Sequence, residues 1–273
     1  MIINGYATLA EVKANKTITS IDAADDTFFE ALIENTSRLI DEMTGRWFYP
    51  RIQTRLHDVP VGNELRLDAD CCELTTVTNG DLDVITSAEY TTAPLNDTPY
   101  WAVRLRPSAS LSWVGTDAGD RHGAISIAGV WVYHASYAMA WRTLTTLGVA
   151  ITSASATTFT ATSGANFSSG QIIKVDSEYM LVVSVAAAVV TVERGLNGST
   201  ADTHLINAPV YVWRWQGEIN RACRDIVMSA YNNRYGNSPT GQVSITGAGV
   251  IITPDDVPAT TRLVLEQIQR KGW

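Results

Sequence analysis

Positive charge is scarce in this 273-residue chain, and lysine is the scarcest form of it. Only four of the 20 basic residues are lysines, against 28 acidic residues and a net charge of −8. A broad electropositive face for sequence-independent DNA binding is therefore not expected. Charged residues of both signs make up 18% of the chain, below the usual ~25%. A disordered chain shows the opposite pattern, high charge with few apolar residues. From Thr143 to Ile173 there are 31 consecutive positions without a charge. That run is no membrane span, because Ser and Thr punctuate it. The purely apolar stretch nearby, Val185–Val190, is far short of the ~20 residues a span needs. The opening MIINGYATLAEVK has no basic segment followed by an apolar one, so no signal peptide is expected. Cysteine is rare, with Cys71 and Cys72 adjacent and Cys223 alone. An odd count with an adjacent pair makes a poor disulfide framework, and reduced, structural thiols in a reducing cytoplasm are expected.

The length fits one or two domains and a core large enough to need no staples. A helix is expected over Asp25–Thr44, where Phe28, Phe29, Leu32, Ile33, Leu39, Ile40 and Met43 recur at three- and four-residue steps. Gly45 suits its C-terminal cap. A shorter helix, Leu9–Ala14, precedes it. Residues 1–45 hold eight acidic side chains against three basic ones, so the acidity is concentrated at this helical front end. From Arg51 the period becomes two. Short antiparallel strands are expected at Ile52–His57, Glu64–Leu67, Leu74–Thr78, Tyr90–Thr92, Ala102–Arg106 and Ala124–Tyr133, the last with a bulge or close backbone approach at Gly129. Residues 144–213 read as a separate small barrel or sandwich. Its strands are expected at Val149–Thr152, Phe159–Thr162, Gln171–Val175, Glu178–Val185, Val189–Glu193 and Val210–Trp213, with turns at Gly170, Asn197 and Gly198. A helix follows over Gln216–Tyr235, then a possible strand at Val243–Thr246 and a closing helix over about Pro258–Lys271. The expected class is α+β. A core of 1–143 and 214–273, with helices and a small antiparallel sheet, is interrupted by an all-β insertion at 144–213.

Catalytic signatures are missing. There is no P-loop and no G-x-S-x-G elbow, and no two histidines stand at helical zinc spacing. Asp117, Asp120 and His122 could together ligate a metal, but a polar hairpin loop is the simpler reading. The pairs Asp25-Asp26 and Asp255-Asp256 could do acid–base work; at helix starts, dipole complementarity explains them better. Trp131, Tyr133, Tyr137 and Trp141 lead into the insertion, and Trp213 and Trp215 lead out. With almost no interleaved basic residues, they suit a hydrophobic anchor better than a base-stacking platform. Trp47, Phe48 and Tyr49 are expected in the core. Glu178 with Glu193 is the one carboxylate pair of the insertion worth testing for glycoside chemistry. The closing helix is expected either to pack on its own domain or to be held out for a partner, and Trp273, beside Arg270 and Lys271, could pack on another chain.

Three patches resemble the head–tail connector (adaptor, or neck) proteins of tailed bacteriophages. The first is Tyr6–Lys13 followed by Phe29–Pro50, similar to the pattern L-I-x-x-A-S-x-x-I-D-x-x-T-G-R-x-F with Thr36 in place of Ala. The second is Gly123–Tyr133, similar to G-x-I-x-V-x-G-x-W-G-Y with Val132 in place of Gly. The third is the Ile219–Tyr235 helix with the closing helix. The insertion resembles a β module of phage virion proteins through Phe167–Val182 and Thr191–His204, with Gln171 replacing an acid and Ser199 a Thr. In that module Glu178, Arg194 and His204 would hold turns and strands. Together the patches cover about half the chain. The resemblance implies a structural virion protein, not an enzyme, without cofactor or metal. It would be assembled in the bacterial cytoplasm into a ring, typically of twelve copies, beneath the portal protein. Its partners would be the portal protein, the next neck or tail protein, and DNA passing through the channel without sequence-specific binding; no membrane is involved. The family's closing helix docks on the portal, which makes Arg262, Gln267, Arg270, Lys271 and Trp273 the portal-interface candidates. The alternatives are a stopper or tail-terminator protein, or a carbohydrate-binding or hydrolytic virion protein.

Overall fold

The computed structural model describes residues 2–14, 25–163, 167–235, 245–246, 249–250 and 257–270. It is a mixed α+β structure with two compact units, one of residues 1–45 and 141–273, the other of residues 46–140. The helices thus group with the later strands, whereas the sequence organisation placed them with the earlier ones.

In the larger unit, α1 (Leu9–Lys13) starts with a capping box. The Glu11 amide donates to the Thr8 hydroxyl at 3.2 Å, and the Thr8 amide donates to Glu11 Oε2 at 2.8 Å. Helix α2 (Asp26–Thr44) buries Phe29, Leu32, Ile33, Thr36, Ser37, Ile40 and Thr44 along one stripe. Gly45 ends it in the left-handed region at φ 63°, as its position after the last turn predicts. Helix α3 (Gly217–Tyr235) buries Ile219, Ala222, Cys223, Ile226, Val227 and Ala230. The two helices pack with Phe29 against Tyr231, ring centroids 4.8 Å apart, and with Ser37 Oγ 3.8 Å from Cys223 Sγ. Asn220 Nδ2 donates to the Tyr6 carbonyl at 2.8 Å and to Glu11 Oε2 at 3.2 Å, tying α3 to the α1 region. Helix α4 (Ala259–Ile268) contacts both α2 and α3.

The smaller unit is one antiparallel sheet of β1 (Arg51–His57), β2 (Glu64–Thr78), β3 (Val84–Ile85), β4 (Tyr90–Ala93), β5 (Tyr100–Leu105) and β6 (Ile125–Trp131). Its order is β1-β6-β2-β5-β4, with β3 beside β2. The expected strands Glu64–Leu67 and Leu74–Thr78 are one continuous strand. The Asp-rich stretch between them looks like a turn in sequence. In the fold, Asp68 pairs with Arg55, and Asp70 accepts from Arg46 Nη1 at 2.5 Å. Local register shifts at Cys71/Glu73 and Leu74/Thr76 absorb the length. Gly129 meets the expectation of close approach, because a Cβ there would collide with the Glu73 carbonyl oxygen. The core holds Leu65, Leu67, Val103, Ile125, Ile127 and Trp131, with the Trp131 indole donating to the Gln53 carbonyl at 2.9 Å. Phe48 and Tyr49 are buried, and Trp47 is half-buried beneath the Arg51 guanidinium at 3.5 Å.

The second sheet comprises β7 (Trp141–Thr146), β8 (Thr158–Thr160), β9 (Ile172–Val175), β10 (Glu178–Ala186), β11 (Val189–Glu193) and β12 (Pro209–Trp213). Its order is β7-β12-β9-β10-β11-β8, all antiparallel. The expected barrel or sandwich is corrected to a single sheet. Its end strands touch through one bridge, Leu147↔Ala161, because β8 has only three residues to offer. Strand β7 replaces the expected strand at Val149–Thr152, of which Ile151 keeps one bridge to His204. The entry and exit tryptophans explain the change. Trp141 pairs with Trp213 in register, their rings 5.0 Å apart in a T-shape, so they clasp two strands of this sheet. A two-strand hairpin, β13 (Ile245–Thr246) and β14 (Gly249–Val250), covers part of the expected strand Val243–Thr246, whose other residues lie outside those described. No helix among the described residues is long and apolar enough to cross a membrane.

Candidate functional site

The closing helix carries the portal-interface candidates, and its sequence dictates which way it faces. Thr261 and Leu265 are buried at a four-residue step, with Ile268 half-buried one turn on. Gln267 and Glu266 are exposed, and Leu263 is 60% exposed on the outward side. Arg262 is half-buried and lines a shallow hollow with Val257, Pro258, Ala259 and Leu263. Arg270 turns back into the fold. Its amide donates to the Thr44 carbonyl at 2.7 Å, satisfying a backbone acceptor that the last turn of α2 leaves open. Lys271 and Trp273 lie outside the described residues. Between α3 and α4 runs a groove of about 270 Å³, lined by Glu218, Arg221, Ala222, Asp225, Thr260, Thr261 and Val264. Arg221 and Asp225 sit one turn apart on its α3 side, 3.5 Å between Nε and Oδ2. The arrangement offers an outward apolar side chain, a polar neighbour and a mixed-charge groove.

The densest electrostatic cluster lies in the second sheet. Glu178 is fully buried at the start of β10. It accepts from Arg194 Nε and Nη2, both at 2.6 Å, and from the Gly195 and Asp202 amides, both at 3.1 Å. His204 Nε2 lies 2.8 Å from Glu178 Oε2, and its Nδ1 lies 2.7 Å from Asp176 Oδ2. Arg194 also donates to the Ala156 carbonyl at 2.9 Å, so it holds a turn of the uncharged run. Burial pushes the Glu178 carboxyl up, but Arg194, His204 and the Asp202 amide outweigh it and hold its pKa below the ordinary value. These three residues hold turns and strand ends, the role expected for them. Glu193 is exposed while Glu178 is enclosed, so the two carboxylates do not share a cleft.

The other candidates are dispersed. His122 Nδ1 faces Asp58 at 3.0 Å, while Asp120 stays in the loop, its carbonyl accepting from Thr116 N at 2.9 Å. Asp26 pairs with Lys13; Asp255 and Asp256 lie outside the described residues. Cys71, Cys72 and Cys223 are free and buried, and burial pushes the Cys72 and Cys223 thiols up to about 12, where they stay protonated and unreactive. Sequence reasoning passed over His57. It is buried against Trp131, with Nε2 3.2 Å from Asp68 Oδ1. Burial lowers its pKa and outweighs the pull of Asp68. Its place at the end of an alternating strand, at a position facing inward, was the available signal.

Comparison with known proteins adds no neighbour: no family model, no curated protein and no solved structure matches this chain.

Proposed function

We propose that this chain is a structural head–tail connector of a tailed bacteriophage. Copies would form a ring, typically of twelve, beneath the portal protein, extend the DNA channel and join head to tail. One observation carries the reading. The first and third patches of the resemblance, far apart in sequence, pack as one helical body, with Asn220 bonding the Tyr6 carbonyl across 214 positions. On this reading residues 144–213 are sheet structure added between the two halves of a connector core. The outward Leu263 and Gln267 of α4 suit a helix that docks on the portal. The acidic balance suits a wall along which DNA slides, since like charge weakens phosphate contacts.

Electron microscopy of the purified chain, alone and mixed with portal-bearing heads, tests this. Rings are expected, together with density at the head vertex that is lost when residues 255–273 are deleted. A chain that stays monomeric, joined with truncated protein that still connects heads to tails, overturns the proposal.

A further inference from the structure

Three Asn-Gly dipeptides occur in the chain, at 4–5, 79–80 and 197–198. Two of them meet. Asn4 Nδ2 donates to Asn197 Oδ1 at 2.9 Å, and Asn197 Nδ2 donates back to Asn4 Oδ1 at 2.8 Å, across 193 positions. Both residues are left-handed, at φ 57° and 53°, a conformation Asn tolerates better than other side-chain-bearing residues. Asn4 is 8% exposed. Its carbonyl accepts from Arg38 Nη2 at 2.9 Å, and the Tyr6 amide donates to Ser37 Oγ at 3.0 Å. Ile2 lies against Gly170, where an added Cβ would sit 3.5 Å from it. Residues 2–6 are thus a strap laid between α2 and the turns of the second sheet, and the two carboxamides are its clasp.

We infer that the Asn4–Asn197 clasp is a mutually guarded deamidation site. In an Asn-Gly sequence the glycine amide nitrogen, uncrowded by a side chain, attacks the asparagine Cγ. The N–Cγ bond forms, the Cγ–Nδ2 bond breaks, and Nδ2 leaves as ammonia with the proton the amide loses. Water then opens the succinimide to Asp or isoAsp, and no other reactant is needed. The attack requires the carboxamide to swing over the following nitrogen. In the clasp each carboxamide is pinned by the other through both its nitrogen and its oxygen. A closed strap protects both sites, and an opening exposes both. Once one site has converted, its carboxylate accepts but cannot donate, so oxygen faces oxygen across one half of the clasp. The first conversion therefore hastens the second, and the joint between strap and sheet ages cooperatively. Asn79 provides an internal reference. Its carboxamide is held separately, donating to the Ser112 carbonyl at 2.9 Å and accepting from the Val114 amide at 3.0 Å, in the other compact unit.

The test incubates the folded full chain at neutral pH and quantifies Asp and isoAsp at each Asn-Gly by peptide mass spectrometry. In the wild type, Asn4 and Asn197 are expected to convert far more slowly than in the same chain held in urea. Asn197→Asp installs the product, and Asn197→Gly removes the carboxamide while keeping the left-handed backbone relaxed. Asn197→Gly loses both part-buried bonds of the clasp and is expected to speed conversion at Asn4 about tenfold; Asn197→Asp loses one and sets oxygen against oxygen, and is expected to speed it about threefold or more, with Asn79 unchanged in both. Asn4→Asp does the same to Asn197. Conversion of Asn4 at the urea rate in the folded wild type overturns the inference. So does an unchanged Asn4 rate in both Asn197 variants, or an equal acceleration at Asn79, which marks general unfolding instead.

Discussion

The two six-stranded sheets handle charge in opposite ways. In the first, arginines along the strands meet carboxylates mostly at the surface, the largely enclosed Arg46–Asp70 pair being the exception. Glu64 accepts from Arg66 at 3.2 Å and Arg104 at 2.7 Å, with side chains 31–58% exposed. Arg66 and Arg104 also lie over Trp101, and Arg55 over Trp131. In the second sheet the strands are nearly uncharged, and one arginine and one glutamate are enclosed, at 7% and 0% exposure. Exposed pairs add little and are individually replaceable. An enclosed pair adds little beyond an apolar substitute, yet losing one member is severe because the other stays buried and unpaired. The first sheet therefore distributes its electrostatic risk, and the second concentrates it in Glu178, Arg194 and His204.

The sharpest way to break this comparison is Glu178→Ala. It strands Arg194 and His204 and is expected to cost about 3–5 kcal/mol in denaturant unfolding. A loss no larger than that of an exposed pair would mean that the two sheets do not differ. Next comes Gly129→Ala, which pushes a methyl group into the Glu73 carbonyl and is expected to cost about 1–3 kcal/mol, read as a lowered unfolding midpoint.

Acid separates the sheets by onset. His57 has a folded pKa below its ordinary 6.5, so the unfolded chain binds its proton first. The first sheet is expected to lose stability as pH falls below 6.5 toward the folded value. Glu178 has a folded pKa below its ordinary 4.5, so its contribution is complete above 4.5 and declines as pH falls from 4.5 toward that lower folded value. Amide exchange followed residue by residue against pH is expected to show the first sheet weakening earlier, and His57→Gln is expected to remove that early phase. Simultaneous weakening would erase the distinction. The smallest effect is Arg104→Ala, expected to stay within about 1 kcal/mol by the same unfolding assay.

Much of the fold was legible because it rests on periodicity. The stripe from Phe29 to Ile40 placed α2, Ile219 to Ala230 placed α3, and Gly45 placed a helix end. What escaped depends on partners distant in sequence. The 64–78 strand was split because Asp68 and Asp70 look like turn residues until Arg55 and Arg46 arrive to pair with them. That the second sheet stays a single sheet, its ends joined by one bridge, goes with the three residues β8 contributes, which composition does not reveal. The candidate site was legible only as a helix with a polar end. That Arg270 turns inward required seeing the Thr44 carbonyl waiting for it. The His57 environment and the Asn4–Asn197 clasp are tertiary pairings with no local signature beyond single residues.

The Arg270–Thr44 bond carries a consequence for synthesis. The end of α2 is completed by a residue that lies more than 200 positions further along the chain and is therefore made later. Until then α2 has neither that capping contact nor α3 and α4 to cover its apolar stripe. Some sheet pairings are also long-range, β1 with β6 and β7 with β12, but every strand of both sheets precedes α3 in the chain, so both ladders can close before the helical body is complete. The helical body forms after both sheets, and any interface built on it becomes available only once α3 and α4 have been made.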